Sequence, residues 1–258
     1  MFYTPAFNNR CVLPPASWDE LAQGKWLLDQ VNVGLSQWWP RIFGYHLLKV
    51  GSLSHQIDTS ACSIGRQFSV SPTLGTDVVA DISRLPFQES SIDACLLSLS
   101  LNFHHNPHQV LREVNRVTVA GGHIIIIGLN PFSPLGLVHL NPQLGHKYPF
   151  NGRFYSVGRV HDWLGLLGYK VIAEQKLIYS SLLMKPHRTH YLQQVMQHNL
   201  PSFGSFYMIM AKKLVRPLTP VKPRWQLNSK PSLTPIATMQ NGNTKTIDDF
   251  INISGNNK

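Results

Sequence analysis

The chain has 258 residues, of which 43% are hydrophobic and 14% charged, with 23 Lys and Arg against 13 Asp and Glu. That length suits one α/β domain with additions, and no run approaches the ~18 apolar residues of a membrane span. Three cysteines, Cys11, Cys62 and Cys95, have neither paired nor metal-type spacing and read as reduced thiols. With an N-terminus (MFYTPAFNNR) that has no charged start and no apolar run, they predict a cytoplasmic protein.

Six basic and two acidic residues lie beyond residue 213, so the body keeps 17 basic against 11 acidic. A basic body attracts nucleic acid or an anionic membrane surface. The sequence has no arginine-rich run and no recognisable nucleic-acid module, so an ordinary basic enzyme is the simpler reading.

Residues 1–15, with Pro5, Pro14 and Pro15, predict an extended lead. Ser17 followed by Glu20 is a capping-box pattern. Leu21, Trp26, Leu27 and Leu28 extend it into a helix to about residue 30, weakened at Gly24. A second helical piece carries Leu35, Trp38 and Trp39 before Pro40. Four of the six tryptophans fall between 18 and 39; they read as packing on a sheet, with a lid or substrate wall as the alternative. Residues 1–40 are assigned to this helical lead or lid. HLLKVG (46–51) predicts the first strand and RQFSVS (66–71) the second.

Residues 77–130 are the most informative. DVVAD (77–81) is a short β-branched strand ending in an acid, and IDACLLSLS (92–100) is an apolar run of strand length. Asn106-Pro107 starts a helix whose Val110, Leu111, Val114 and Val117 share one face. Glu113 and Arg116, on its other side, predict a modest ion pair. Ala120-Gly121-Gly122 is expected to end the helix. HIIIIGL (123–129) then predicts a strand buried on both faces. Strand, helix, parallel strand is the unit of a doubly wound α/β fold, which binds ligands at the carboxyl ends of its strands. Those ends carry Asp81, then Ser98 to His105, then Gly128 to Pro131. The loop 102–108 holds three histidines in five residues, but H-H-x-x-H is not a zinc pattern and no metal site is assigned. His104 and His105 are candidate general bases, with solvent-facing loop histidines as the plainer reading.

GLNPFSPLGL (128–137) bends the chain away at two prolines. Ser156 caps a helix carrying Val157, Val160, Trp163, Leu164 and Leu167, ended by Gly168. Tyr169–Ile172 and Ser205–Lys212 predict the last two strands. Between them, residues 181–203, with His187, Arg188, His190 and Tyr191, read as an insertion over the site. Arg153 and Arg159 read as solvated charges, with contacts to an anionic substrate as the alternative. Residues 41–213 form the α/β domain. Residues 214–258 carry five prolines, then a polar end, and read as a disordered tail with a brief helix at 247–251.

The ordered set Asp81, LPF at 85–87, Asp93, LREVNRV at 111–117 and Gly121-Gly122 resembles the class I S-adenosylmethionine-dependent methyltransferases, in the type 11 branch that includes the quinone-biosynthesis methylases. A wider set, GYHLLKVGSLS, CLL, GLNPFSPLGL, PFNGRFYS and DWLGLLGY, is similar to the YafS-type methyltransferase-like proteins of gamma-proteobacteria. The resemblance implies a Rossmann-like, seven-stranded, mostly parallel sheet, S-adenosyl-L-methionine as cofactor, and methyl transfer to an acceptor, with a small molecule favoured. It implies cofactor contacts at Lys49, Gly51 and Ser52 after the first strand, Ser69 at the second, Asp81 and the Ile82 amide for the adenine, and Ser98 after the fourth. Capping of the following turn is the alternative role for Asp81.

The family has an acid where Lys49 stands, three glycines where only Gly51 remains, and a ribose-holding acid where Ser69 stands. A hydrogen bond to a charged group is worth roughly 1.5–3 kcal/mol, so losing the ribose acid implies about tenfold to more than a hundredfold weaker binding. These departures carry an alternative function, a methyltransferase fold that binds or scaffolds without turnover. Nucleic-acid binding by the basic surface is a third.

Overall fold

The computed structural model describes residues 13–139, 141, 143, 147–182 and 201–215. The strands are β1 (His46–Val50), β2 (Arg66–Ser71), β3 (Val78–Val79), β4 (Ile92–Ser98), β5 (Thr118–Leu129), β6 (Tyr169–Leu177) and β7 (Phe206–Lys213). They form one seven-stranded sheet in the order β3-β2-β1-β4-β5-β7-β6. Only β7 runs antiparallel to its neighbours. This is the doubly wound, mostly parallel sheet the sequence predicts. The helices are α1 (Gly24–Ser36), α2 (Ser52–His55), α3 (Ser100–Phe103), α4 (Pro107–Val117), α5 (Pro134–His139) and α6 (Val157–Leu166).

The strand alternation divides the core in two. Leu47, Ala94, Leu96, Ile125 and Ile127 face α1, which contributes Leu27, Val31 and Leu35. Leu48, Val50, Cys95, Leu97, Ile124 and Ile126 face α4 and α6. The four isoleucines thus serve both layers, two to each. Trp18, Trp38 and Trp39 are buried in the first layer, which is the packing role. The Trp18 indole also donates to the Leu53 carbonyl at 2.9 Å, tying the N-terminal segment to α2.

Several boundaries differ from expectation for local reasons. Ser17 caps only a single 3-10 turn, Trp18–Glu20, and α1 begins at Gly24. The chain doubles back there: a Cβ on Gly24 would lie 1.6 Å from the Trp18 oxygen. Helix α4 ends at Val117 rather than at Gly121-Gly122. The Thr118 hydroxyl donates to the Val114 carbonyl at 2.6 Å, and Thr118 already pairs with Ile92. Gly122 lies inside β5, where a Cβ would meet the Asp93 carbonyl at 2.8 Å. Strand β6 runs on to Leu177.

Two crossovers are short. Between β1 and β2 the only helix is the single turn α2, and β2 connects to β3 through residues 72–77 with no helix. Asp93 sets the start of β1, its carboxylate accepting the amides of Tyr45 and His46 at 2.8 and 2.9 Å. The described residues all fall within one compact unit, which ends at Arg216. The predicted tail and residues 183–200 lie outside the described residues.

Glu113 and Arg116 form more than a helix-surface pair. The Arg116 guanidinium donates to the carbonyls of Leu85 and Phe87 (2.9 and 3.0 Å) as well as to Glu113 (2.9 Å), and Glu113 accepts the Leu85 amide at 3.2 Å. The pair therefore clamps the LPF loop that leads away from Asp81. Arg116→Ala is expected to lower unfolding free energy by about 1–3 kcal/mol, because it unpairs two carbonyls and a carboxylate. Urea denaturation of the purified variant measures it, and Arg116→Lys, lacking the planar fork, should recover less than half.

Candidate active site

The carboxyl ends of β1, β3 and β4 open on one cavity of about 220 Å³. Its floor is the turn after β1. Gly51 has φ of 94°, a left-handed conformation, and a Cβ there would lie 2.4 Å from the Ser100 hydroxyl. That hydroxyl donates to the Val50 carbonyl at 2.6 Å. The Ser54 hydroxyl donates to the same carbonyl at 2.7 Å and accepts the Ser98 amide at 2.8 Å. Two serines thus fasten β4 to the end of β1. At the mouth of β4, Leu99 adopts φ 54° and ψ 5°, a strained conformation for leucine that costs roughly 1–3 kcal/mol. Its amide is fixed by the Ile127 carbonyl at 2.9 Å. The turn brings both Ser98 and Ser100 to the cavity, and the buried Ser98 Oγ has no hydrogen-bond partner among the described residues.

The β2 side is closed by hydroxyls. Ser52 Oγ lies 2.9 Å from Ser71 Oγ and 3.1 Å from Thr73 Oγ1. On the β3 side, Asp81 lines the cavity and also caps its own turn, accepting from the Ser83 amide and hydroxyl, each at 2.8 Å. Burial pushes the Asp81 carboxyl up, but the two Ser83 hydrogen bonds and the neighbouring His104 and His105 prevail and hold it below the usual carboxylate value. Opposite it, His104 Nε2 lies 3.8 Å from Asp81 Oδ1. The His104 ring sits 4.3 Å from that of His105. Burial and the proximity of His105 lower the His104 pKa, outweighing the Asn106 carbonyl and Asp81.

Of the residues singled out in the sequence, Gly51, Ser52, Asp81, Ile82, Ser98, His104 and His105 come together along this cavity. Lys49 and Ser69 are outside its lining. They are register partners on β1 and β2. Lys49 Nζ donates to the Ile57 carbonyl at 3.1 Å, and burial lowers its pKa despite nearby Asp58 and Asp77. The Ser69 hydroxyl donates to Asp77 at 2.6 Å and lies 3.2 Å from His55 Nδ1. The short crossovers let loop residues take up both side chains.

The structure adds residues that sequence reasoning passed over. Pro14, Pro15, Leu53 and Phe103 wall the cavity. Arg153, read as a solvated charge, is 8% exposed. Its Nη1 donates to the His105 carbonyl at 3.0 Å, and its amide donates to the Asn102 carbonyl at 2.8 Å. Asn102 Nδ2 donates back to the Arg153 carbonyl at 2.5 Å. Gly152 lets Phe103 approach, since a Cβ would meet the ring at 2.8 Å. The N-G-R run was the available signal, but its partners lie about fifty residues upstream.

A family model of the methyltransferase domain matches residues 45–126. The protein YafS of Escherichia coli (strain K12) is 35% identical over 230 residues, 89% of this chain and 93% of that one. MJ1123 of Methanocaldococcus jannaschii is 30% identical over 105 residues, 41% of this chain and 51% of its own. Among solved structures, a chain of the Haloferax volcanii complex between the Trm112 methyltransferase activator and a methyltransferase superposes with a TM-score of 0.55 at 16% identity, covering 76% of this chain and 94% of that one. A SAM-dependent methyltransferase of Thermotoga maritima gives 0.52 at 18% identity, covering 76% and 99%. The chain belongs to the family of YafS, and its residues 45–126 match the methyltransferase domain model. The cavity suits S-adenosylmethionine in three respects: the Asp81 carboxylate, the side-chain-free turn at Gly51, and the buried Ser98 hydroxyl, which has no partner among the described residues.

Gly51→Ala should destabilise the fold by about 1–3 kcal/mol through the left-handed backbone and the clash with Ser100. Thermal unfolding measures it, and restoring space with Gly51→Ala/Ser100→Ala should recover part of the loss. His104 gives a pH test. A lowered folded-state pKa means the folded protein favours the neutral ring, so that contribution is complete above about pH 6.5 and is lost as pH falls below it. His104→Gln should flatten the fall in urea midpoint between about pH 7 and 5.

Proposed function

We propose that the cavity holds S-adenosylmethionine with its adenine against Asp81 and Ile82 and its methionine end against Gly51, Ser52 and Ser98. We further propose that the chain methylates a small-molecule acceptor admitted beside Phe103, His104 and His105. The observation that carries this reading is the convergence of three strand ends on one cavity. When bound, the cofactor supplies an electrophilic methyl group on a sulfonium. The chain's part is chiefly positioning. Asp81, kept ionised by Ser83, accepts from the adenine amino group. Pro14, Pro15, Leu53 and Phe103 exclude water. His104, neutral near pH 7, takes a proton from an acceptor that must lose one.

Calorimetry with S-adenosylmethionine and its demethylated product tests the binding step. The expected result is a dissociation constant between micromolar and sub-millimolar, weakened tenfold or more by Asp81→Asn. No binding at millimolar ligand contradicts the assignment. A second reading, binding without turnover, is supported by Lys49 and Ser69, which engage Ile57 and Asp77 instead of the cavity. Incubation of cell extract with methyl-labelled cofactor separates the two. Label in the small-molecule fraction supports transfer, and cofactor binding with no labelled product supports the second reading.

A further inference from the structure

The segment PFNGRFYS (149–156) has no task in the reaction outlined above. It stands behind the cavity rather than in its lining, and its contacts run to the histidine side. The Arg153 amide donates to the Asn102 carbonyl at 2.8 Å, and the Asn102 side-chain amide donates back to the Arg153 carbonyl. Gly152 faces the Phe103 ring, which a Cβ would meet at 2.8 Å. Phe103 also packs edge-on against Tyr148, with ring centroids 5.7 Å apart. From this anchored backbone, Arg153 Nη1 reaches on to the His105 carbonyl and donates to it at 3.0 Å.

The clasp holds a piece of chain with little packing of its own. Residues 104–106 link α3 to α4. Phe103 and Pro107 on either side are buried, but His104 and Asn106 are half-buried and His105 is exposed. His104 Nδ1 lies 3.1 Å from both the amide and the carbonyl of Asn106, a contact internal to the linker. Among the described residues, Arg153 supplies the one hydrogen bond that the linker backbone receives from elsewhere in the chain. A short linker with few buried contacts samples several backbone states unless something ties it. Arg153 is suited to tie it, because a guanidinium this buried needs fixed acceptors and fixes them in turn. With the linker held, His104 Nε2 faces Asp81 and the His105 ring stands beside it.

We infer that Arg153 is a positioning residue: with its backbone fixed by Asn102, it holds the His105 carbonyl and so aims the His104 ring into the cavity toward Asp81. Its part in catalysis rests on the proposed proton transfer to His104, while its effect on the ring is testable without turnover. The test is NMR titration of the His104 ring in the full chain, the resonance being identified by its loss in His104→Gln. Burial and His105 lower the pKa of this ring. Arg153→Met, which keeps bulk and removes the donor, should release the ring toward water and raise that pKa by about 0.5. Arg153→Lys, with one donor left for the carbonyl, should show a smaller rise. Gly152→Ala pushes on Phe103 and leaves the Arg153 charge in place, so a rise there separates position from charge. These two variants decide the matter if Arg153→Met does not fold. A clasp that only stabilises the fold lowers the urea midpoint and leaves the His104 titration unmoved, which overturns the positioning role. A rise confined to Arg153→Met, absent from both other variants, reports lost charge alone and overturns it too. In the labelled-cofactor assay, the acidic limb of the transfer rate should move to higher pH with the ring, because the base must be neutral to accept a proton. Cofactor calorimetry on the same samples keeps the readings apart. No binding by the unsubstituted chain removes the methyl-transfer reading and leaves the ring titration standing, while normal binding with an unmoved ring removes the positioning role alone.

Discussion

The Val50 carbonyl accepts two serine hydroxyls, Ser54 at 2.7 Å and Ser100 at 2.6 Å, and the rest of the site hangs on that junction. A carbonyl at the end of a buried parallel strand must be satisfied, or it costs about 1–3 kcal/mol. Both donors lie at cavity-forming turns, and Ser54 also captures the Ser98 amide. Satisfying one strand end therefore fixes the turn after β1 and the turn after β4 together. Gly51 is required because Ser100 occupies the space its side chain would need. Ser98 is left with a buried hydroxyl that no other described residue engages.

The opposite wall is held by a different device. Asp81 gains its geometry from Ser83 and from the loop that Glu113 and Arg116 clamp. This clamp gives a physical reason for the LPF and LREVNRV segments to occur together: one supplies carbonyls, the other the guanidinium that reads them. Asp93 likewise acts through the backbone, receiving the first amides of β1. Much of what looks like a functional motif is thus the machinery that aims Asp81 and Gly51 at a shared cavity. The chemistry is left to few groups, and the proposed proton transfer falls to His104.

The sheet and its layers were legible in the sequence because they follow from period. The isoleucine run, the α4 face and the strand lengths are local signals of burial, while the seven-stranded sheet was implied by the family resemblance and the strand order is seen only in the structure. The acid at Asp81 was legible for the same reason, as the end of a strand. The end of α4 was not, because Thr118 changes backbone state while its hydroxyl still bonds back to Val114. Arg153 was missed because its burial depends on Asn102 and His105, which are remote in sequence. Lys49 and Ser69 sit at strand ends as expected, but shortened crossovers supply Ile57 and Asp77 as partners, and chain position alone does not reveal that.

The account stands most directly on where the cofactor lies. A crystal structure with the demethylated cofactor should place its adenine within hydrogen-bonding distance of Asp81 and the Ile82 amide, and its amino-acid end at Gly51 and Ser98. Ligand bound away from the ends of β1, β3 and β4, or no ligand at millimolar soak, would contradict it.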